Sequence, residues 1–193
     1  MSVPDLRTAR LVLTPLSAEG TEACMAMDAD PRVRRYFDPI ADWGAYRSRL
    51  RQLLAGPYEP GQGFWSIADQ RTPDRFLGWV MLIPLAGEGP QVEVGYRLRF
   101  EAWGRGIATE AAGVIRDHGF STCKLDEIIA VTHPENTGSQ RVLKKIGLTD
   151  AGTVDAYDRT LPLYRLGRED WSRYYGEKAV SGAIAEQRVA GLN

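Results

Sequence analysis

The chain is poor in the residues that build metal centres and nucleophile triads, with two cysteines and two histidines in 193 residues. Cys24 and Cys123 form no CxxC pair, and neither they nor His118 and His133 fall at metal-ligand spacing. No metal site is therefore expected, and two reduced thiols in a cytoplasmic protein are. Nor is there an excess of one charge. Lys and Arg number 24 against 25 Asp and Glu, for a net charge of −1. That removes the basic surplus of a general nucleic-acid binder. No apolar run approaches the roughly 20 residues of a membrane-spanning helix. Asp5, Arg7 and Arg10 interrupt any signal-peptide core. Neither nucleic acid nor membrane is expected as a partner. Internal repeats and low-complexity linkers are missing too.

What remains is a globular composition, 44% hydrophobic and 25% charged, in a chain long enough to bury one domain's core. Strands are expected at Arg10 to Leu16, Phe64 to Ala68, Phe76 to Leu85 and from Val92. The last three are joined by short turns, which implies antiparallel pairing. Helices are expected at Ala18 to Ala29, Pro31 to Phe37 and Trp43 to Ala55, the last closed by Gly56-Pro57. Further on, Glu127 to Thr132 reads as a strand and Thr137 to Ile146 as a helix ended by Gly147. Strands near Thr149 to Tyr157 and Thr160 to Leu166 follow, then a helical tail from Arg168. The sum is a mixed α/β fold: a mostly antiparallel sheet with a parallel central pair and helices on both faces.

The most informative stretch is Val92 to Ala111. Val92, Val94, Tyr96 and Leu98 alternate as a strand requires, and Ile107, Ala111, Val114 and Ile115 recur at helical spacing. Gly104 and Gly106 lie between them. A strand that feeds a glycine turn and a helix N-terminus holds a phosphate through free backbone N–H groups and the positive end of the helix dipole.

These elements resemble the GNAT superfamily of N-acetyltransferases, and within it the ribosomal-protein N-terminal acetyltransferases. Trp103-Gly104-Arg105-Gly106-Ile107-Ala108-Thr109-Glu110-Ala111 is similar to the acetyl-CoA pyrophosphate loop. Asn136-Thr137-Gly138-Ser139, followed by Val142 to Leu148, is similar to the Asn-x-x-Ser helix. Arg7-Thr8-Ala9-Arg10-Leu11-Val12-Leu13 is similar to the branch's opening strand. The resemblance implies an acetyltransferase domain over residues 1–167, with 168–193 as the tail. It also implies acetyl-CoA as cofactor and an amine acceptor, either a peptide N-terminus or a small molecule, in a monomer or homodimer. A non-catalytic acyl-CoA-binding module on the same fold is the rival reading. One position departs from the family pattern: Glu101 stands where Gln or Arg usually opens the loop. A carboxylate there repels a diphosphate unless it points away.

Acetyl transfer needs a held cofactor, a neutral amine, a polarised carbonyl and a stabilised thiolate. The resemblance assigns the pantetheine arm and thioester to the backbone of Tyr96, Arg97, Leu98 and Arg99. It assigns the diphosphate to Gly104, Arg105, Gly106, Ile107, Ala108 and Thr109. Arg105 has two readings, a charge partner for the diphosphate or a solvated turn residue. Glu93, on the thioester strand, is the candidate base; alternation also puts it on one face with Arg97, so an ion pair there is the alternative. Asn136 reads as a helix N-cap and Ser139 as its partner three residues on. The resemblance adds a pantetheine contact for Asn136 and a proton-donating role toward the sulfur for Ser139. Tyr36, Phe37 and Trp65 are candidate substrate contacts, while Asp155, Tyr157 and Asp158 read as a solvated hairpin turn, with attraction of a cationic acceptor as the alternative.

Overall fold

The structure is a computed structural model that describes residues 3–176. The part of the expected helical tail over 177–193 lies outside the described residues. A two-residue strand β1 (Leu6–Arg7) and β2 (Leu11–Pro15) lead into helices α1 (Thr21–Asp28) and α2 (Trp43–Ala55). Strands β3 (Gly63–Asp69), β4 (Gly78–Pro84) and β5 (Val92–Leu98) follow, then α3 (Ile107–Ser121), β6 (Glu127–Val131) and α4 (Thr137–Lys145). A hairpin of β7 (Thr149–Ala156) and β8 (Arg159–Gly167) ends in the short helix α5 (Arg168–Trp171).

The strands form one sheet in the order β1-β2-β3-β4-β5-β6-β8-β7, antiparallel throughout except for β5 and β6. That parallel pair is joined at a single register position, Glu93 opposite Ile129. Beyond it β5 has no ladder partner on the β6 side, and the sheet opens there.

Alternation along β5 decides what lies on each face. Val92, Val94 and Leu98 join the core built against Ala111 and Ile115 of α3. Gly95 points to the other face, where a Cβ would meet Met81. Met81 packs there with Cys24 of α1 and Leu50 and Leu54 of α2. Helices therefore cover both faces, as the pattern predicts. The end of α4 also follows its sequence signals. Lys144 and Lys145 occupy the last turn, and Gly147 takes a left-handed φ of 92°. Buried Arg116 of α3 donates to the Ile146 carbonyl at 2.7 Å, fixing the two helices together.

One expected helix is absent. Pro31 to Phe37 forms turns, with Val33 N–H bonded to the Asp30 carbonyl and Phe37 N–H to that of Arg34. Its side chains dock in different directions. Arg32 lies 3.8 Å over Phe100, Tyr36 stacks on His133 and Phe37 covers Arg97. Asp38 also precedes Pro39, which disfavours helical backbone. No helix among the described residues is long and apolar enough to cross a membrane.

Candidate active site

Glu93 sits where β5 parts from β6. It is 4% exposed, and its Oε2 accepts a 2.6 Å hydrogen bond from the Tyr157 hydroxyl at the β7–β8 turn. Burial raises its pKa from 4.5 to about 7, against the opposing pull of Tyr157 and of the Val131 backbone N–H. The alternative pairing with Arg97 is not formed. Arg97 instead donates at 2.9 Å to both oxygens of Asp28, whose side chain is fully buried at the end of α1. The Tyr46 hydroxyl donates to the same carboxylate. The Arg97 guanidinium lies 4.1 Å from the Phe37 ring centre. A buried ion pair thus braces the wall that carries Phe37, and among the described residues Glu93 has no cationic partner.

The glycine turn has the geometry of an anion cradle. Gly104 and Gly106 take left-handed φ values of 71° and 77°, and no side chain caps the start of α3. Its first-turn N–H groups are free for a ligand. The Ile107 side chain is buried in the core, so this residue offers its N–H alone. The Glu101 carboxylate lies 3.4 Å from Arg75 and 3.5 Å from Arg99. Two arginines therefore neutralise the residue that departs from the family pattern, and the turn fits a diphosphate. The Arg105 carbonyl accepts from Arg10 at 3.0 Å, while its own side chain is exposed.

Across the opening, Asn136 Oδ1 accepts the Ser139 N–H at 3.1 Å and caps α4. The Ser139 hydroxyl takes no part in the cap and lies 3.0 Å from the Tyr96 hydroxyl, which also donates to the Ser139 carbonyl at 3.1 Å. Burial pushes the Tyr96 phenol well above its usual range, so it serves as a hydrogen-bonding group and not as a free acid. Leu98 is buried, and Arg99 is held by Glu101. Ala108 and Thr109 are half-buried in the first turn of α3.

Tyr36 and Phe37 lie on the Glu93 side of the sheet, Tyr36 stacked on His133 and Phe37 on Arg97. Trp65 does not join them. It is fully buried in the core against α3, its indole N–H donating to the Pro4 carbonyl and its ring edge-on to His118. The alternation of β3 sends it to the opposite face, so Trp65 is a core residue and not a substrate contact. His118 is buried and bonded to the Gly61 carbonyl. Asp28 and Tyr46 are residues of this region that sequence reasoning passes over, and it places Tyr157 in the hairpin turn without its contact to Glu93. Asp28 and Tyr46 lie in ordinary helical patterns. Tyr157 carried one signal: a two-residue hairpin turn, Tyr-Asp, with no glycine or asparagine.

Residues 10–149 match the acetyltransferase (GNAT) domain. The chain belongs to this GNAT family. Its relatives include the FsC-acetyl coenzyme A-N(2)-transacetylase of Aspergillus fumigatus, 31% identical over 189 residues that cover 88% of this chain and 79% of that protein. An acetyltransferase from Agrobacterium tumefaciens is 29% identical, with a TM-score of 0.72 over 86% of this chain and 95% of that one. Mycobacterium smegmatis RimJ, solved in complex with CoA-disulfide, shares the fold at 23% identity and a TM-score of 0.68 over 95% of each chain. This GNAT protein is accordingly an acetyl-CoA-dependent N-acetyltransferase.

Proposed function

We propose that this enzyme acetylates a protein or peptide N-terminal α-amine by direct attack on the thioester, with Glu93 as the base. The observation that carries the reading is the buried Glu93 carboxylate at the opening between β5 and β6, with its pKa lifted to about 7. A base of that strength is matched to an α-amine, whose reference pKa is ~7.7–8.0, and poorly matched to a lysine at ~10.4. Acetyl-CoA supplies the acyl group as a thioester. The N–H groups from Gly104 to Thr109 bind its diphosphate, and the β5 backbone from Tyr96 to Arg99 orients its arm. Asn136 caps α4 beside that arm. The Ser139 hydroxyl, aligned by Tyr96, donates a hydrogen bond to the departing sulfur. Tyr36 and Phe37 line the acceptor side.

Direct attack is favoured over an acyl-enzyme by the state of the cysteines. Cys24 is fully buried, and burial pushes its thiol up to about 12. Cys123 lies beside His118 and the Gly61 carbonyl, and burial raises its thiol as well. Neither presents a thiolate at neutral pH.

The experiment is a thiol-release screen of acetyl-CoA with N-terminal peptides, N-terminally blocked lysine peptides and small amines. Turnover of free N-terminal peptides, lost on blocking the α-amine, is expected. Preference for lysine side chains or for a small amine overturns the acceptor, and no turnover with any amine overturns the enzyme reading.

A further inference from the structure

The β7–β8 connection consists of Tyr157 and Asp158 alone, and both have positive φ, 55° and 59°. A two-residue hairpin of the type I′ class requires that conformation and normally meets it with Asn and Gly. A tyrosine and an aspartate in the left-handed region carry local strain. Ala86, in the turn between β4 and β5, is left-handed too, at φ 55°. The described residues hold four such non-glycine positions, and the fourth is Lys124. Ala86, Tyr157 and Asp158 account for the other three, and two of them, Ala86 and Tyr157, meet at the Tyr157 hydroxyl. The Tyr157 hydroxyl faces the Ala86 backbone on one side and donates to Glu93 Oε2 at 2.6 Å on the other.

Packing does not account for this arrangement. Tyr157 is 43% exposed, so its ring adds little to the core. What the strained tip delivers is a single hydroxyl, aimed at a carboxylate 64 positions away that is otherwise closed to solvent. Strain held at one such point is a mark of a functional constraint.

We propose that Tyr157 is a positioning residue for Glu93: the hairpin tip clamps Oε2 and so fixes the orientation in which the carboxylate meets the acceptor's proton. The proposal rests on the reading of Glu93 as base. The surroundings isolate the effect. On β5, Arg97 is held by Asp28. On the hairpin, Asp155 accepts from the Thr160 hydroxyl, Arg159 pairs with Asp38, and Asp158 is exposed. From β4 the register neighbour is apolar Ile83, and from β6 it is the Val131 backbone that faces Glu93. Tyr58 is the other titratable group turned toward Tyr157.

The test is a carbon-13 NMR titration of the Glu93 carboxyl, assigned by its loss in Glu93→Gln, in wild type and Tyr157→Phe. The same spectra report whether the variant is folded. Removal of the hydroxyl takes away a donor to the charged form, so Glu93 is expected to titrate about one pH unit higher in Tyr157→Phe. The acid limb of the rate profile for a turned-over amine should move with it, giving a loss of about tenfold below the limb and none on the alkaline plateau. A Glu93 titration unmoved in folded Tyr157→Phe overturns the proposal, whatever Glu93→Gln does. A rate profile unchanged in Glu93→Gln overturns the base reading, and this proposal with it.

Discussion

Arg10 donates through Nε to Glu110 at 2.7 Å and through Nη1 to the Arg105 carbonyl at 3.0 Å. One side chain therefore ties the β1–β2 turn both to the first turn of α3 and to the glycine turn ahead of it. Thr8 completes the tie with a 2.5 Å bond to Glu110. Burial pushes the Glu110 carboxyl up, but the bonds from Thr8 and Arg10 outweigh it and hold the group below its usual range. With its carbonyl held by Arg10, the turn keeps its N–H groups free for an anion. Arg10→Ala is expected to weaken CoA binding about three- to tenfold, the scale of one ordinary hydrogen bond. Calorimetry against CoA measures it, and an unchanged affinity in a folded variant would reduce the tie to a structural role.

Gly106 is the second handle on the same turn. Its φ of 77° suits glycine, and a Cβ built there would lie 3.4 Å from the Arg10 guanidinium. Valine adds strain of about 1–2 kcal/mol and blocks the close approach of a diphosphate. Gly106→Val is expected to stay folded and lose CoA binding; a folded variant with wild-type affinity would move the diphosphate elsewhere.

Glu93 is expected to lower stability at neutral pH. Its pKa rises from 4.5 to about 7 on folding, mainly through burial. The folded chain holds this proton more tightly than the unfolded one. The group's contribution to stability thus falls as pH rises from about 4.5 to about 7 and is level above that. A shift of that size corresponds to about 3 kcal/mol at most. Glu93→Gln, which cannot ionise, should be the more stable protein at about pH 8, by up to that amount, and match wild type at about pH 4. Thermal unfolding at the two pH values checks this. A glutamine variant less stable than wild type at the higher pH would mean that Glu93 is charged and well solvated in the fold.

Much of this architecture is legible in the sequence because local signals and tertiary packing agree. The helix predicted at Trp43 to Ala55 has those bounds, and the Asp42 side chain caps it. Gly147 ends α4 as a left-handed cap should. The failures occur where tertiary contacts decide. Pro31 to Phe37 has a helix-compatible composition, but its arginines and aromatics are drawn to partners on other elements. Sequence reasoning groups Trp65 with Tyr36 and Phe37, yet strand parity alone sends it to the opposite face. Asp28 and Tyr157 leave little local trace of a role, because each acts on a β5 residue more than 60 positions away. Alternation correctly puts Glu93 and Arg97 on one face; it carries no information on which elements will supply their partners.

Ser139 offers the sharpest separation of structure from chemistry. By spacing alone it is one half of an N-cap, so its loss would cost stability. The geometry divides the work differently. Asn136 supplies the capping oxygen, and Ser139 contributes only its backbone N–H, a group that alanine retains. The serine hydroxyl faces Tyr96 at 3.0 Å instead. Asn136→Ala should therefore lose about 0.5–2 kcal/mol of stability, the usual value of an N-cap side chain. Ser139→Ala should keep its stability to within about 0.5 kcal/mol, because alanine is a good helix residue and the cap survives. On the mechanism we propose, its turnover should fall, because the hydrogen bond offered to the leaving sulfur goes with the hydroxyl. Loss of an oriented donor to developing negative charge costs on the order of a hundredfold to a thousandfold in rate, with a partly exposed site at the lower end. Thermal unfolding and single-turnover thiol release on the same samples divide the outcomes. A Ser139→Ala protein that is less stable yet turns over at the wild-type rate per folded molecule would return Ser139 to the cap and leave the sulfur to another donor.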